Sequence, residues 1–388
     1  MNSIGRCPAC DSDQVQDLAT IGPVPVLCGS LWPTRDEALT TPTADLALAC
    51  CLRCAHVWNW CFDPTLVEYD AQYDNALDFS ATFRAYAEGL VDHLVEAFEL
   101  QGKRLVEIGS GKGEFLRQLC AAGGNTGLGY DPTYEGPDEA DGIRFVRTFF
   151  TPGTAVDDVD FVCCRHVLEH LADPYGALLD MRKAVQDRPV PMYFEVPNAE
   201  FNFSESGPWD LIYPHVAYFS DISLRALLVR SGFRVLRLDP VFGGQFLGAE
   251  VVVDTAALSA DDEQCRARGA ALARFYRDAL DRQLTETKGW QRRLDRLLES
   301  GQVALWGAGS KGVTFLSLVD RGHKVATVVD ANPRKWGRFL PGCGHQVVAP
   351  DEVVNRSAHA VIVMNPAYTE EIKGSIAELG SRADVLVV

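Results

Sequence analysis

The chain has 388 residues, more than one ordinary core holds at about 100–200 residues per domain, so two or three domains are expected. With 47% hydrophobic, 10% aromatic and 23% charged residues it has a globular composition, which excludes global disorder. Lys+Arg 36 against Asp+Glu 53 gives a net charge of −17, which repels phosphate backbones and anionic lipid and excludes nucleic acid and membrane surfaces as expected partners.

The chain opens MNSIGRCPAC, without a basic segment leading into an apolar run, and no stretch approaches ~18 uninterrupted apolar residues. It reads as soluble and cytoplasmic. Twelve cysteines are many for a reducing compartment, and four of them form two C-x-x-C pairs. Cys7-Pro-Ala-Cys10 and Cys51-Leu-Arg-Cys54 each set two thiolates on a tight turn, so two facing knuckles offer four sulfurs to one Zn²⁺. A four-thiolate site leaves no position for water, so the ion is expected to be structural. The long spacer between the pairs carries Pro23, Pro25, Gly29, Pro33 and Pro42 and is expected to loop out. Cys50 and His56 are weaker ligand candidates. Cys28, Cys61, Cys120, Cys163, Cys164, Cys265 and Cys343 lack such pairing and are expected in the core.

From Arg104 the sequence RLVEIGSGKGEFLRQLC reads as an apolar strand, a turn carrying Gly109, Gly111 and Gly113, and a helix with Phe115, Leu116 and Leu119 at helical spacing. Glycines let the backbone approach a ligand, and the helix start is expected to offer free N–H groups. Glu107 stands at the strand end, and the next apolar segment, GLGYD, ends at Asp131, where a carboxylate suits a ribose diol. A carboxylate beside the loop disfavours a dinucleotide pyrophosphate and suits a cofactor with a cationic amino-acid tail, which points to S-adenosylmethionine (SAM).

These residues resemble the class I methyltransferase signature E-x-G-x-G-x-G, followed by an acidic residue closing the second strand. VDFVCCRHVLEHLADP, Val159 to Pro174, is similar to the fourth strand and H-V-L-E-H turn beside the methyl donor; MYFEVPN resembles the fifth strand, and SLRALLVRSGFRVLRLD the closing helix and sixth strand. The resemblance implies that Glu107, Gly109, Gly111, Gly113, Asp131 and His166 face the cofactor. An NAD-binding Rossmann unit is the competing reading of the same glycines.

Ser259 to Gly301 interleaves charged residues with Leu, Ala and Phe at helical spacing and ends on a glycine, as one or two linking helices would. Beyond it, VALWGAGSKGVTFLSLV carries Gly307, Gly309 and Gly312 between strand and helix, and VATVVDANPRKWGRFLPG supplies Asp330 at the next strand end, a second phosphate-cradling pattern. The expected organisation is a zinc-binding unit at 1–70, a SAM-dependent unit at 71–258, a helical linker at 259–301 and a Rossmann-like unit at 302–388. Both glycine-loop units are expected to be α/β, with mainly parallel sheets.

This order of modules resembles the nucleotide-linked deoxysugar C-methyltransferases of antibiotic pathways. The resemblance implies a C-terminal domain that helps hold a sugar nucleotide, with Gly307, Gly309 and Ser310 as substrate contacts. Methylating carbon in a keto sugar requires that a proton leave the carbon beside the carbonyl, which calls for a base, and histidine titrates nearest neutrality. The resemblance places His215 of WDLIYPHVAYFS as that base. It places Tyr213 in the same catalytic segment, one position away from the family's tyrosine, and His170 and Tyr73 of YDAQYDN as groups that polarise the carbonyl or hold the enolate. Pro214 also departs from the family pattern, standing where the family has the glutamate that orients this histidine. The alternatives are methylation of another small natural-product intermediate at O, N or C, and a noncatalytic scaffold. The sequence carries no signal for the oligomeric state.

Overall fold

The computed structural model describes residues 4–67, 77–151, 153–154, 156, 158–204, 207–256, 263–320 and 323–388. The N-terminal unit is an antiparallel sheet of β1 (Val15–Pro25), β2 (Thr43–Cys51) and β3 (Val57–Asn59). The spacer between the cysteine pairs therefore does not loop out. Alternation in TADLALACC buries Leu46, Leu48 and Cys50 on one face, and β1 pairs with β2 from Val15 opposite Cys51 to Pro25 opposite Thr43. That register brings the first knuckle back to the second.

The next elements are β4 (Arg104–Ile108), β5 (Thr126–Tyr130), β6 (Glu139–Ala140), β7 (Ile143–Val146), β8 (Phe161–Arg165) and β9 (Pro191–Pro197). After them β10 (Ala217–Tyr218) departs to pair with β3, and β11 (Phe233–Val241) and β12 (Phe246–Val253) form a hairpin. The central sheet runs β11-β12-β9-β8-β4-β5-β7-β6. Its middle strands are parallel, but β12 lies antiparallel between β9 and β11, so the sheet is mixed. The strand order reverses at β4, which opens a crevice beyond the C-terminal ends of β4 and β8.

A single helix, Glu263–Ser300, leads to a wholly parallel sheet of β13 (Gln302–Trp306), β14 (Thr327–Val329), β15 (Val347–Val348), β16 (Ala358–Val363) and β17 (Asp384–Val387), ordered β15-β14-β13-β16-β17. One apolar core joins Leu46 and Leu48 of the N-terminal sheet to Trp209, to Tyr276 of the long helix, and to Val303 and Leu316 beyond it. A second core sets Cys7 and Cys51 beside Val106, Phe194 and Leu227 under the central sheet. Among the described residues no helix is long and apolar enough to cross a membrane.

Polar contacts also join the two α/β units. Glu371 accepts hydrogen bonds from Ser80 Oγ at 2.7 Å, from the amides of Ala81 and Thr82 at 3.2 Å and from Thr82 Oγ1 at 2.9 Å, capping the helix Ala81–Ala97. Gln245 and Asn365 exchange amide hydrogen bonds of 3.2 and 3.1 Å, and Lys311 pairs with Asp210 at 2.8 Å. Between these contacts and the sheets lies a cavity of about 840 Å³.

Candidate active site

Away from the cavity, Cys7 Sγ lies 3.7 Å from Cys54 Sγ and Cys10 Sγ 3.6 Å from Cys51 Sγ, with all four sulfurs within 4.8 Å of one another. Zn–S bonds of about 2.3 Å in a tetrahedron put sulfurs about 3.8 Å apart, so the four thiolates are compatible with zinc. The weaker candidates stand outside this group. Cys50 Sγ donates to the Cys51 carbonyl, and His56 is buried with its ring against Trp58 and Phe219. Of the unpaired cysteines, Cys61 is exposed rather than in the core, and the side chain of Cys265 lies outside the described residues.

The first glycine loop forms one wall of the cavity. Glu107 ends β4 almost fully buried, with Oε2 unpartnered, and burial pushes its carboxyl up to about 7. Gly109 has φ +75, and a Cβ there would meet Val167 Cγ2 at 2.2 Å, so only glycine fits between the loop and the turn after β8. The amides of the loop itself are engaged within the protein. Gly109 and Ser110 donate to the Tyr130 carbonyl, Gly113 to Ser110, and Gly111 to Asp131 Oδ2 at 2.8 Å. Asp131 lines the cavity but also braces the loop, because its Oδ1 accepts from Thr133 N and Oγ1. Gly113 stands behind the wall against Phe145, where it caps the helix Glu114–Gly123. A donor with a cationic tail fits this wall through the unpartnered Oε2 of Glu107, the open face above Gly111 and the side chain of Asp131.

The floor is a charge network that the sequence analysis did not single out. Arg165 ends β8 and donates Nε and Nη2 to Glu195 Oε1 of β9 at 3.1 and 2.8 Å, with its guanidinium 4.0 Å from the Phe115 ring centre. Tyr193 donates to Glu195 Oε2 at 2.9 Å, and Tyr86 donates to the same oxygen. Burial alone would raise the Glu195 carboxyl, but Arg165, then His166 and Tyr86, outweigh it and hold it well below the usual range. The signal was one charge of each sign within the apolar strands FVCCR and MYFEVP, which pair side by side.

His166 sits at φ +55, a strained value for a residue with a side chain. It lines the cavity with Nε2 3.0 Å from Glu195 Oε1 and Nδ1 3.6 Å from Glu169 Oε1. Burial opposes its protonation, yet Glu169 and Glu195 outweigh that and raise it to about 9. Beyond it, His170 and His215 meet edge to face at 4.9 Å and both line the cavity. His170 Nδ1 bonds to the Pro214 carbonyl at 2.9 Å. Burial and then His170 push His215 down to about 3. Glu169, missed from sequence, is 1% exposed and lies with both imidazoles in one group of potential ligands.

Tyr213 does not join this group. It is buried against Phe62, and its hydroxyl accepts from the Asp63 amide at 3.0 Å, so it braces the N-terminal unit. Tyr73 lies outside the described residues.

The second glycine loop faces the first across the cavity. Gly307 has φ +118, and Gly309 precedes the helix Ser310–Val319 with no side-chain cap. Gly307, Gly309 and Ser310 all line the cavity, as do Lys311 and Lys335. Asp330 repeats the role of Asp131: its Oδ2 accepts from the amide of Ala308 at 2.8 Å and pairs with Lys335 at 3.1 Å.

Residues 82–238 match a family described as a methyltransferase domain, and residues 255–388 match one described as a C-methyltransferase C-terminal domain. The chain is a SAM-dependent methyltransferase. No curated protein matches it. Among solved structures similar to this methyltransferase, a SAM-dependent methyltransferase from Aquifex aeolicus is 16% identical, covering 46% of this chain and 100% of its own, with a TM-score of 0.33. Another from Mesorhizobium loti is 16% identical over 42% and 99%, with a TM-score of 0.33. Magnesium protoporphyrin IX methyltransferase from Synechocystis, with bound SAH, is 17% identical over 45% and 85%, with a TM-score of 0.35.

Proposed function

We propose that this methyltransferase moves a methyl group from SAM to a carbon beside the carbonyl of a nucleotide-linked ketodeoxysugar. The observation that carries this reading is that two glycine loops, one from each α/β unit, open on a single cavity with Glu169, His170 and His215 among its lining residues. The match of residues 255–388 to a C-methyltransferase domain supports carbon as the accepting atom.

SAM supplies an electrophilic methyl group. Glu107, with the Gly109 and Gly111 turn and Asp131, would hold its amino-acid tail and ribose. Gly307, Gly309 and Ser310, at the start of an uncapped helix and beside Lys311 and Lys335, suit the phosphates of a nucleotide. The acceptor carbon must lose its proton before it forms its new bond, and the groups placed for that are His215, His170 and Glu169. Glu169 brings a carboxylate within 4.8 Å of both imidazoles. Holding both partners in one cavity converts a bimolecular reaction into a local one, which contributes much of the acceleration. The thiolate cluster serves as a structural zinc site, and the free cysteines suit a reducing compartment, the cytoplasm.

The test is incubation with SAM and a panel of nucleotide-linked ketodeoxysugars, read by mass spectrometry for one added methyl and by carbon NMR for its position. Methyl on a ring carbon supports the reading. Methylation confined to oxygen or nitrogen of other acceptors would replace it.

A further inference from the structure

We propose that Glu169, His170 and His215 together hold one divalent cation of the zinc class in the cavity, as a working part of the methyl-transfer site. This rests on reading the cavity as that site. One carboxylate oxygen and two imidazole nitrogens lie within 4.8 Å of one another. Ligands at about 2.0–2.2 Å from zinc stand about 3–4 Å apart, so the rings need to draw in by about one ångström.

Three further observations favour an ion over a packed trio of side chains. Glu169 is 1% exposed and its Oε2 has no hydrogen-bond partner, and Nδ1 of His215 is likewise buried without one. Buried polar atoms left unsatisfied call for an explanation, and a cation satisfies both. His170 directs Nδ1 at the Pro214 carbonyl, the kind of outer hydrogen bond that commonly fixes a metal-bound histidine. Two histidines and one carboxylate beside an open cavity are the donor set of a catalytic cation, whereas the four-thiolate cluster is closed.

Such a cation polarises the acceptor's carbonyl oxygen, and hydroxide on it takes the neighbouring proton: the C–H bond breaks, an O–H bond forms, and the electron pair remains as an enolate whose oxygen rests on the cation. The enolate carbon then forms the C–C bond as the sulfonium C–S bond breaks, releasing the neutral thioether. Ligated, His215 takes no proton, and no glutamate at 214 is needed to activate it.

The full chain, with zinc kept in its thiolate site and the cavity stripped by a weak chelator, is titrated with cobalt(II). One equivalent is expected to bind with weak visible bands and no sulfur-to-cobalt charge transfer, and to restore methyl transfer. Glu169→Gln and His215→Ala are each expected to weaken that binding at least tenfold, with zinc content and melting temperature unchanged as the check on folding. No cobalt bound outside the thiolates, or binding unchanged in both variants, overturns the inference. Transfer to a keto sugar without any cavity cation also overturns it while leaving the proposed function intact. Cobalt binding with no keto sugar methylated does the reverse.

Discussion

The Pro214 carbonyl accepts a hydrogen bond from Nδ1 of His170 at 2.9 Å. A carbonyl can only accept, so the proton of the neutral ring sits on Nδ1, and the ring is aimed by backbone that proline stiffens. The residue that departs from the family pattern thus orients a histidine through the main chain. His170→Ala is expected to slow single-turnover methyl transfer about 100-fold or more while donor affinity changes by less than about threefold. Rapid-quench assays and calorimetry check this; equal losses in both would place His170 on the donor side instead.

Glu107 gives a pH dependence whose sign differs between the free and the loaded protein. Burial raises its carboxyl from 4.5 to about 7, so between those values the folded chain keeps a proton that the unfolded chain has lost. Stability of the donor-free protein is therefore expected to fall as pH rises through that window, by about 3 kcal/mol at most, and then to level off. Donor affinity is expected to rise through about pH 7, as the carboxylate ionises against the cationic tail. Glu107→Gln flattens both trends. Denaturant unfolding and calorimetric titration between about pH 5 and 8 read them directly.

The Arg165–Glu195 pair predicts a large asymmetry between single and double substitutions. Both partners are buried. Glu195→Ala leaves the guanidinium and two tyrosine hydroxyls without their acceptor and is expected to cost about 3–5 kcal/mol. Replacing Arg165 and Glu195 together by methionine is expected to cost less than the sum of the single changes. A double-mutant cycle by denaturant unfolding measures the difference.

Loss of the thiolate cluster is expected to weaken the whole fold, because Cys7 and Cys51 share a core with residues under the central sheet. Cys51→Ser is expected to abolish zinc binding at the proposed four-thiolate site and to lower the melting temperature by about 10 °C, reflecting a loss of several kcal/mol. Cys61→Ser, at an exposed position, is the control and is expected to change neither. Elemental analysis with calorimetric melting decides.

Both glycine turns, the paired cysteines and the strand-helix alternation were legible because each is a local pattern tied to one physical need. Glu107 and Asp131 were legible at their strand ends for the same reason. What escaped depends on register between distant segments. Nothing in the spacer's prolines announced that β1 and β2 would pair, since that follows from buried alternation in β2 meeting a partner. Arg165 and Glu195 become a pair only when β8 lies beside β9. Glu169 hid within the HVLEH segment that drew attention to its histidines. Tyr213 misled because adjacency to His215 in sequence says nothing of which way a buried ring turns, and this one turns toward Asp63.

Glu371 belongs to the unit bearing the second glycine loop, yet it closes the first turn of a helix in the unit bearing the first. Such a cap is worth about 0.5–2 kcal/mol, and it exists only while the two halves keep their distance. A shift of one half against the other therefore frays or tightens that turn. The carboxylate that caps this turn also borders the cavity on which both glycine loops open.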